Sequence, residues 1–288
     1  MIRVVTDTDS NLTLEQAAQW GIEMAPIHVI FGQEVLRETY EIGAAESYAR
    51  IAAAKELPKT SQPPVGEFST IYQRILEEDP SATILTVVVS GGVSGTVESA
   101  RQAAGLLPEA DIRVFDTRSV SAGQALMAVH AARLARAGLD ADSILAHLAT
   151  MRDRAQVYFA VNTLEYLVKG GRIGRASYLM AGLLDIKPIL FLEDGVINAH
   201  SRHRTWKRAV AALREFILQA GQGDRPADMA LHLGVAHADS EAEARALFDT
   251  LAEALQPDET LFCDVGPGLG IHTGPGALGA CWTLAPRL

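Results

Sequence analysis

The chain has 288 residues, enough for two domains of ordinary size, and its 48% hydrophobic and 21% charged composition is that of a folded globular protein. Its net charge of −10 argues against nucleic-acid binding, which leaves a basic footprint, and leaves at most transient contact with anionic membranes. Two cysteines, Cys263 and Cys281, supply neither a disulfide framework nor a metal-ligand spacing, so reduced core thiols and no metal are expected.

The first half alternates strand and helix. Residues 2–6 form a short buried strand ending at Asp7, and Thr13 with Gln16 makes a capping-box start for a helix through Trp20. Residues 24–31 read as one strand, and helices follow around 43–54 and 66–77. The run 83–89 is continuously apolar, as expected of a strand covered on both faces. A helix from near Ser94 to Leu107, a strand at 112–115 and helices near 122–137 and 141–154 complete this half.

The second half opens with a strand at 157–161 and helices at 163–168 and 177–184. Strands 188–192 and 196–199 flank Asp194-Gly195, a hairpin signal. A helix at 205–220, a strand at 229–236, a helix at 240–255 and strands at 260–264 and 280–284 follow. The pattern predicts two α/β domains. Residues 1–155 would form a three-layer α/β/α domain with a mostly parallel sheet, and 156–288 an α/β domain with a mixed sheet, since a hairpin requires an antiparallel pair. No basic region followed by an apolar leader is visible at the N-terminus, and no apolar run is long enough to cross a membrane, so a cytoplasmic protein is expected.

Gly274-x-Gly276-x-x-Gly279 has the spacing of a dinucleotide fingerprint, but only nine residues follow it. These leave no room for the helix and second strand that such a site needs. The sequence instead predicts a glycine-rich loop holding His272 and Thr273.

Candidate chemistry falls where polar, glycine-rich segments follow strands, the place where open α/β sheets gather ligands. Ser90 to Thr96 reads Ser-Gly-Gly-Val-Ser-Gly-Thr before a helix, either an anion site at the helix start or a plain N-cap by Ser94. "KTSQPP" places Thr60 and Ser61 before two prolines, or is simply a turn. "LVKGGRIGR" offers Arg172 behind a glycine pair, as a forked donor or a solvated surface residue. "SRHRTWKR" is a basic cluster in an acidic chain, a candidate docking patch containing Arg202, Arg204, Lys207 and Arg208.

Two enzymatic readings compete. Asp7-Thr8-Asp9 after a strand, Ser90 after another, Lys169, and Asp224 with Asp228 imitate a magnesium-dependent haloacid-dehalogenase-type phosphatase. The acidic pair lies between a helix and a strand rather than after a strand, however, and the glycine loops stay unexplained. A serine hydrolase lacks its elbow, because Ser94 sits in Gly-Val-Ser-Gly-Thr rather than G-x-S-x-G.

Taken as a set and in order, "VVTDTDSNL", "KTSQPPVGEF", "VVVSGGVSGTVESA", "FDTRSVSAG", "LEYLVKGGRIGR" and "GIHTGPGALG" resemble the DegV family along essentially the whole chain. The resemblance implies a DegV-like two-domain bacterial protein that binds a long-chain fatty acid without turnover of its own. It also implies presentation of the carboxylate to an ATP-dependent fatty acid kinase, which makes the acyl phosphate. Thr60, beside Ser61, would donate to the carboxylate; Ser90 and Ser94 would supply further donors; His272, Thr273 and Arg172 would flank the head group. Gly91 stands where the family usually has a second serine, so its backbone N–H or a water would substitute, and Asp9 is an extra acid beside the usual TDS. No cofactor beyond the bound fatty acid is implied. The basic cluster would dock the kinase, and apolar walls are expected from "SYLMAGLLDI" and "MALHLGVA".

Overall fold

The computed structural model describes residues 1–54, 56–181 and 186–287. β1 (Ile2–Asp7) leads into α1 (Leu14–Trp20), where Thr13 and Gln16 form both arms of the capping box. The single strand expected over 24–31 is two. β2 (Ile22–Ala25) pairs with β1, Pro26 intervenes, and β3 (His28–Phe31) joins a different sheet. Proline has no N–H for the ladder, so the chain changes sheets there. β4 (Glu34–Arg37) pairs antiparallel with β3. After α2 (Ala44–Ala53), β5 (Lys59–Ser61) pairs with the other edge of β3 and closes a small sheet that the sequence did not announce.

α3 (Val65–Glu78), β6 (Thr83–Val88), α4 (Thr96–Gly105), β7 (Ile112–Asp116), α5 (Ala122–Arg136) and α6 (Ala141–Arg154) follow as expected. The sheet has order β2-β1-β6-β7 and is parallel throughout. Adjacent residues face opposite ways, as a strand requires. Val5, Ile84 and Val88 pack with Phe68 and Val97 of α3 and α4, whereas Val4, Leu85 and Val87 pack with α5 and α6.

β8 (Gln156–Ala160) and α7 (Glu165–Lys169) precede a 3₁₀ segment, Gly174–Ala181. This replaces the start of the α-helix expected over 177–184, whose end lies outside the described residues. β9 (Lys187–Glu193) and β10 (Val196–His203) form the expected hairpin, with Asp194 and Gly195 both at positive φ. α8 (Trp206–Gly221), β11 (Met229–His237), α9 (Glu241–Leu255), β12 (Glu259–Asp264), α10 (Pro267–Thr273) and β13 (Leu278–Pro286) complete the chain. The mixed sheet has order β10-β9-β8-β13-β11-β12 and is antiparallel except between β11 and β12.

α8 and α9 cover one face of this sheet through Leu213, Ile217, Leu247 and Leu251. The opposite face presents Val157, Cys281 and Ala285 to α5 and α6. These two helices therefore lie between the sheets, which explains why α5 is buried around nearly its whole circumference. Cys263 and Cys281 are free and buried, and burial pushes both thiols up to about 12, so they serve as packing groups.

One expectation is corrected outright. His272 and Thr273 do not sit in a glycine loop but in the last turn of α10, which has Pro267 at its start. The glycine turn follows, with Gly274 and Gly276 at positive φ, and Gly279 already belongs to β13. Among the described residues no helix is long and apolar enough to cross a membrane.

Candidate functional site

A cavity of about 1010 Å³, its open mouth included, lies where the C-terminal ends of β1, β6 and β7 face the mixed sheet. The order of the parallel sheet reverses between β1 and β6, and the segments after those strands supply Asp9 and Ser94 to the lining. The walls are apolar, built from Val157, Phe159, Leu192, Ile197, Leu278 and Ala280. Of "MALHLGVA" only Ala236 lines the cavity; residues 182–185 of "SYLMAGLLDI" lie outside the described residues.

One region of the lining is polar. β5 pairs Thr60 with Val29 and so holds its hydroxyl toward the end of α10, where Thr60 Oγ1 lies 2.7 Å from His272 Nε2. Ser61, Gln62, Ser94, Arg172 and Thr273 line the same cavity. Burial, then the Arg172 charge, push the His272 imidazole down to about 4, so the ring is neutral at neutral pH. Its Nδ1 is buried without a partner, pressed against the backbone at Gly170, where a Cβ would stand 2.1 Å from that nitrogen. A buried N–H is costlier to orphan than a lone pair, so the ring proton belongs on Nε2. Nε2–H then donates to Thr60, whose own proton is free for an acceptor in the cavity. The Arg172 guanidinium donates to the carbonyls of Val93 at 3.3 Å and Gly170 at 2.8 Å, which fixes a positive charge at the lining.

Ser90 and Gly91 stand apart from this group. Ser90 is fully buried, donates to Gly195 O at 2.8 Å and accepts from Gly92 N–H, and so ties the loop after β6 to the β9–β10 hairpin. Gly91 N–H donates to Asp116, and a side chain at this position would meet the Asp116 carboxylate 2.9 Å away rather than the cavity.

Asp9 and Ser121 are among the polar lining residues to which the sequence assigns no role in the cavity. In the sequence Asp9 reads as a phosphatase acid or as an extra acid beside TDS, and Ser121 lies in "FDTRSVSAG" with no role of its own. Asp9 belongs to a buried acidic group with Asp7 and Glu38. Glu38 accepts from Thr8 Oγ1 at 2.5 Å and from Gly268 N–H at 2.8 Å, and burial lifts its carboxyl to about 7. Asp7 accepts from Asp9 N–H, Val89 N–H and Gln124, and burial lifts it to about 6. Burial, then Glu38 and Asp7, hold Asp9 well above the usual carboxylate range.

The phosphatase constellation is not assembled. Asp7 is fully buried and its oxygens are occupied by internal donors. Lys169 is exposed and paired with Glu165, and Asp224 and Asp228 lie in the exposed connection between α8 and β11. Among the described residues no group of three or more His, Cys, Asp or Glu is placed to hold a metal ion.

The basic cluster spans two elements. Arg202 lies near the end of β10, Arg204 lies in the connection, and Lys207 and Arg208 occupy the first turn of α8. All four are exposed, and none makes an ion pair among the described residues.

Comparison with known proteins agrees with this architecture. Residues 1–284 match the family model described as "Uncharacterised protein, DegV family". The chain is 34% identical over 278 residues to a DegV domain-containing protein of Deinococcus radiodurans, covering 96% of each chain. A DegV family protein from Thermus thermophilus, whose structure is described by its fatty acid binding, superposes with a TM-score of 0.89 at 31% identity, covering 98% of this chain and 99% of that one. DegV from Bacillus subtilis, described as a fatty acid binding protein, gives 0.87 at 31% identity, covering 98% of both chains. With nearly its whole length matched in sequence and in fold, the chain belongs to the DegV family.

Proposed function

We propose that this protein binds a long-chain fatty acid, with the carboxylate at Thr60 and the tail in the apolar cavity. The observation that carries this reading is the cavity itself, apolar along its walls and polar where Thr60, His272 and Arg172 meet. An acyl chain of about 14 to 18 carbons gains on the order of 10 kcal/mol from burial, at about 0.8 kcal/mol per methylene before ordering costs. Thr60 O–H donates to the carboxylate, neutral His272 orients that hydroxyl from behind, and Arg172 offsets the charge. The fatty acid binding of the Thermus and Bacillus relatives supports a fatty acid as the ligand.

Few donors reach the head group, so part of the carboxylate stays open to a second reactant. In this reading the protein is a cytoplasmic carrier without turnover of its own, and an ATP-dependent fatty acid kinase phosphorylates the carboxylate to an acyl phosphate. The exposed cluster Arg202, Arg204, Lys207 and Arg208 is where the kinase docks. Cations in the first turn of a helix oppose its dipole, so Lys207 and Arg208 do not serve the stability of α8, and an acidic partner surface would complement them.

Titration of the purified protein with palmitate tests the binding step. Saturable one-to-one uptake is expected, with hexadecane failing to compete at equal concentration. Absence of uptake by protein stripped of lipid overturns the reading.

A further inference from the structure

Asp9 and Ser121 are adjacent in space, since Ser121 N–H donates to the Asp9 carbonyl at 3.0 Å. Both side chains are more than nine-tenths buried, at 4% and 6% exposure, and both line the cavity. Asp9 Oδ1 and Ser121 Oγ each lack a hydrogen-bond partner. Arg172, the nearby cation, spends donors on the Val93 and Gly170 carbonyls and makes no hydrogen bond to Asp9. Ser121 also adopts φ 50 and ψ −129 at the start of α5 and makes no cap there. A serine kept in so unfavourable a conformation, with its hydroxyl buried and unused, points to a role outside folding.

A plain methylene chain would leave both groups unpaired, and a second carboxylate would face the Asp9, Asp7 and Glu38 acids. A hydroxyl satisfies both, because it donates and accepts and therefore suits Asp9 in either protonation state. We propose that Asp9 and Ser121 form a second polar subsite that recognises a hydroxyl on the bound acyl chain, so that the protein prefers hydroxylated long-chain acids to unsubstituted ones. This rests on the fatty-acid reading of the cavity. The place of the hydroxyl follows from α10. Asp9 packs against Gly268, where a Cβ would stand 2.4 Å from its Oδ1, and Gly268 lies one helical turn, about 6 Å, from His272. The hydroxyl therefore belongs on the first few carbons after the carboxylate.

The test compares palmitate with α-, β- and ω-hydroxypalmitate by competition against a fluorescent fatty acid, using the full chain. The α- or β-hydroxy acid is expected to bind about tenfold tighter than palmitate, and the ω-hydroxy acid no tighter. Ser121→Gly removes the hydroxyl while suiting the positive φ, so it should fold at least as stably and lose the preference. Asp9→Ala should lose it as well. The proposal is overturned if neither proximal hydroxy acid beats palmitate, the pair then holding only water, or if the preference survives Ser121→Gly. Failure of all four acids to bind overturns the fatty-acid reading itself, and the subsite with it.

Discussion

Thr60 and His272 are 212 positions apart in sequence and 2.7 Å apart in space. The contact joins the edge of the small sheet to the last turn of α10, so the proposed head-group site exists only when the whole chain has folded. Thr60→Ala should weaken palmitate binding by about 1.5–3 kcal/mol, roughly 10- to 150-fold, as expected for losing a hydrogen bond to a charged group. Thr60→Ser should restore it to within a few-fold. In the double variant with His272→Ala the losses should be less than additive, because the two residues act as a unit. Additive losses in a titration series would separate them.

Gly170 is the wall against which His272 rests. A Cβ there would stand 2.1 Å from Nδ1 and 3.0 Å from the Tyr166 carbonyl, and backbone cannot yield as a flexible side chain does. Gly170→Ala should displace the imidazole, cost about 1–3 kcal/mol of stability and reduce palmitate affinity about as much as His272→Ala does. Wild-type affinity in this variant, measured by the same titration, would mean that His272 has room to move.

His130 on α5 stacks near His147 of α6 at 5.7 Å and His232 of β11 at 5.2 Å between ring centres, and neither of its ring nitrogens has a partner. Burial, then His232, His147 and Arg133, push it down to about 3. The unfolded chain takes up this proton near pH 6.5, where the native state does not. Stability is therefore lost as pH falls from 6.5 toward 3, by about 1.4 kcal/mol per pH unit. His130→Leu should be near neutral at pH 7 and should gain on the wild type by that slope below pH 6. Urea unfolding at pH 7, 5.5 and 4.5 checks this, and parallel stability curves would refute it.

If the proposed kinase docking holds, Arg204→Glu with Lys207→Glu should raise this protein's KM in a coupled fatty acid kinase assay by about tenfold or more and make the residual rate less sensitive to salt. Palmitate affinity should stay within twofold. Lys207→Glu alone should stabilise the protein by about 0.3–1 kcal/mol, because an acid suits the helix start. An unchanged KM would remove this patch from the docking surface.

Much of this could be read locally in the sequence, and the rest depended on distant parts of the chain. The Thr13–Gln16 capping box, the Asp194-Gly195 turn and the apolar run of β6 each carry their structure within a few residues, and all three formed as expected. β4 and β5 have four and three residues and exist because both edges of β3 accept them. α10 contains Gly268 and Gly270 and reads as a loop by propensity. It is held by Glu38, which accepts from Gly268 N–H, and by burial of Ile271. Ser94 and His272 were legible as candidates because polar and glycine residues after strands announce ligand loops, and Thr60 and Arg172 through the "KTSQPP" and "KGGRIGR" motifs. Ser90 has the same local signature, yet its hydroxyl is spent on Gly195, 105 positions away. The orphaned oxygens of Asp9 and Ser121 follow only from what surrounds them, which no local pattern records.

The central claim is tested most directly by native mass spectrometry of the protein as purified, followed by denaturing lipid extraction. The account predicts one bound long-chain fatty acid per chain, released on denaturation and missing from the Thr60→Ala, His272→Ala double variant. A protein that carries no lipid, and that still takes up none when fatty acid is added, would contradict it.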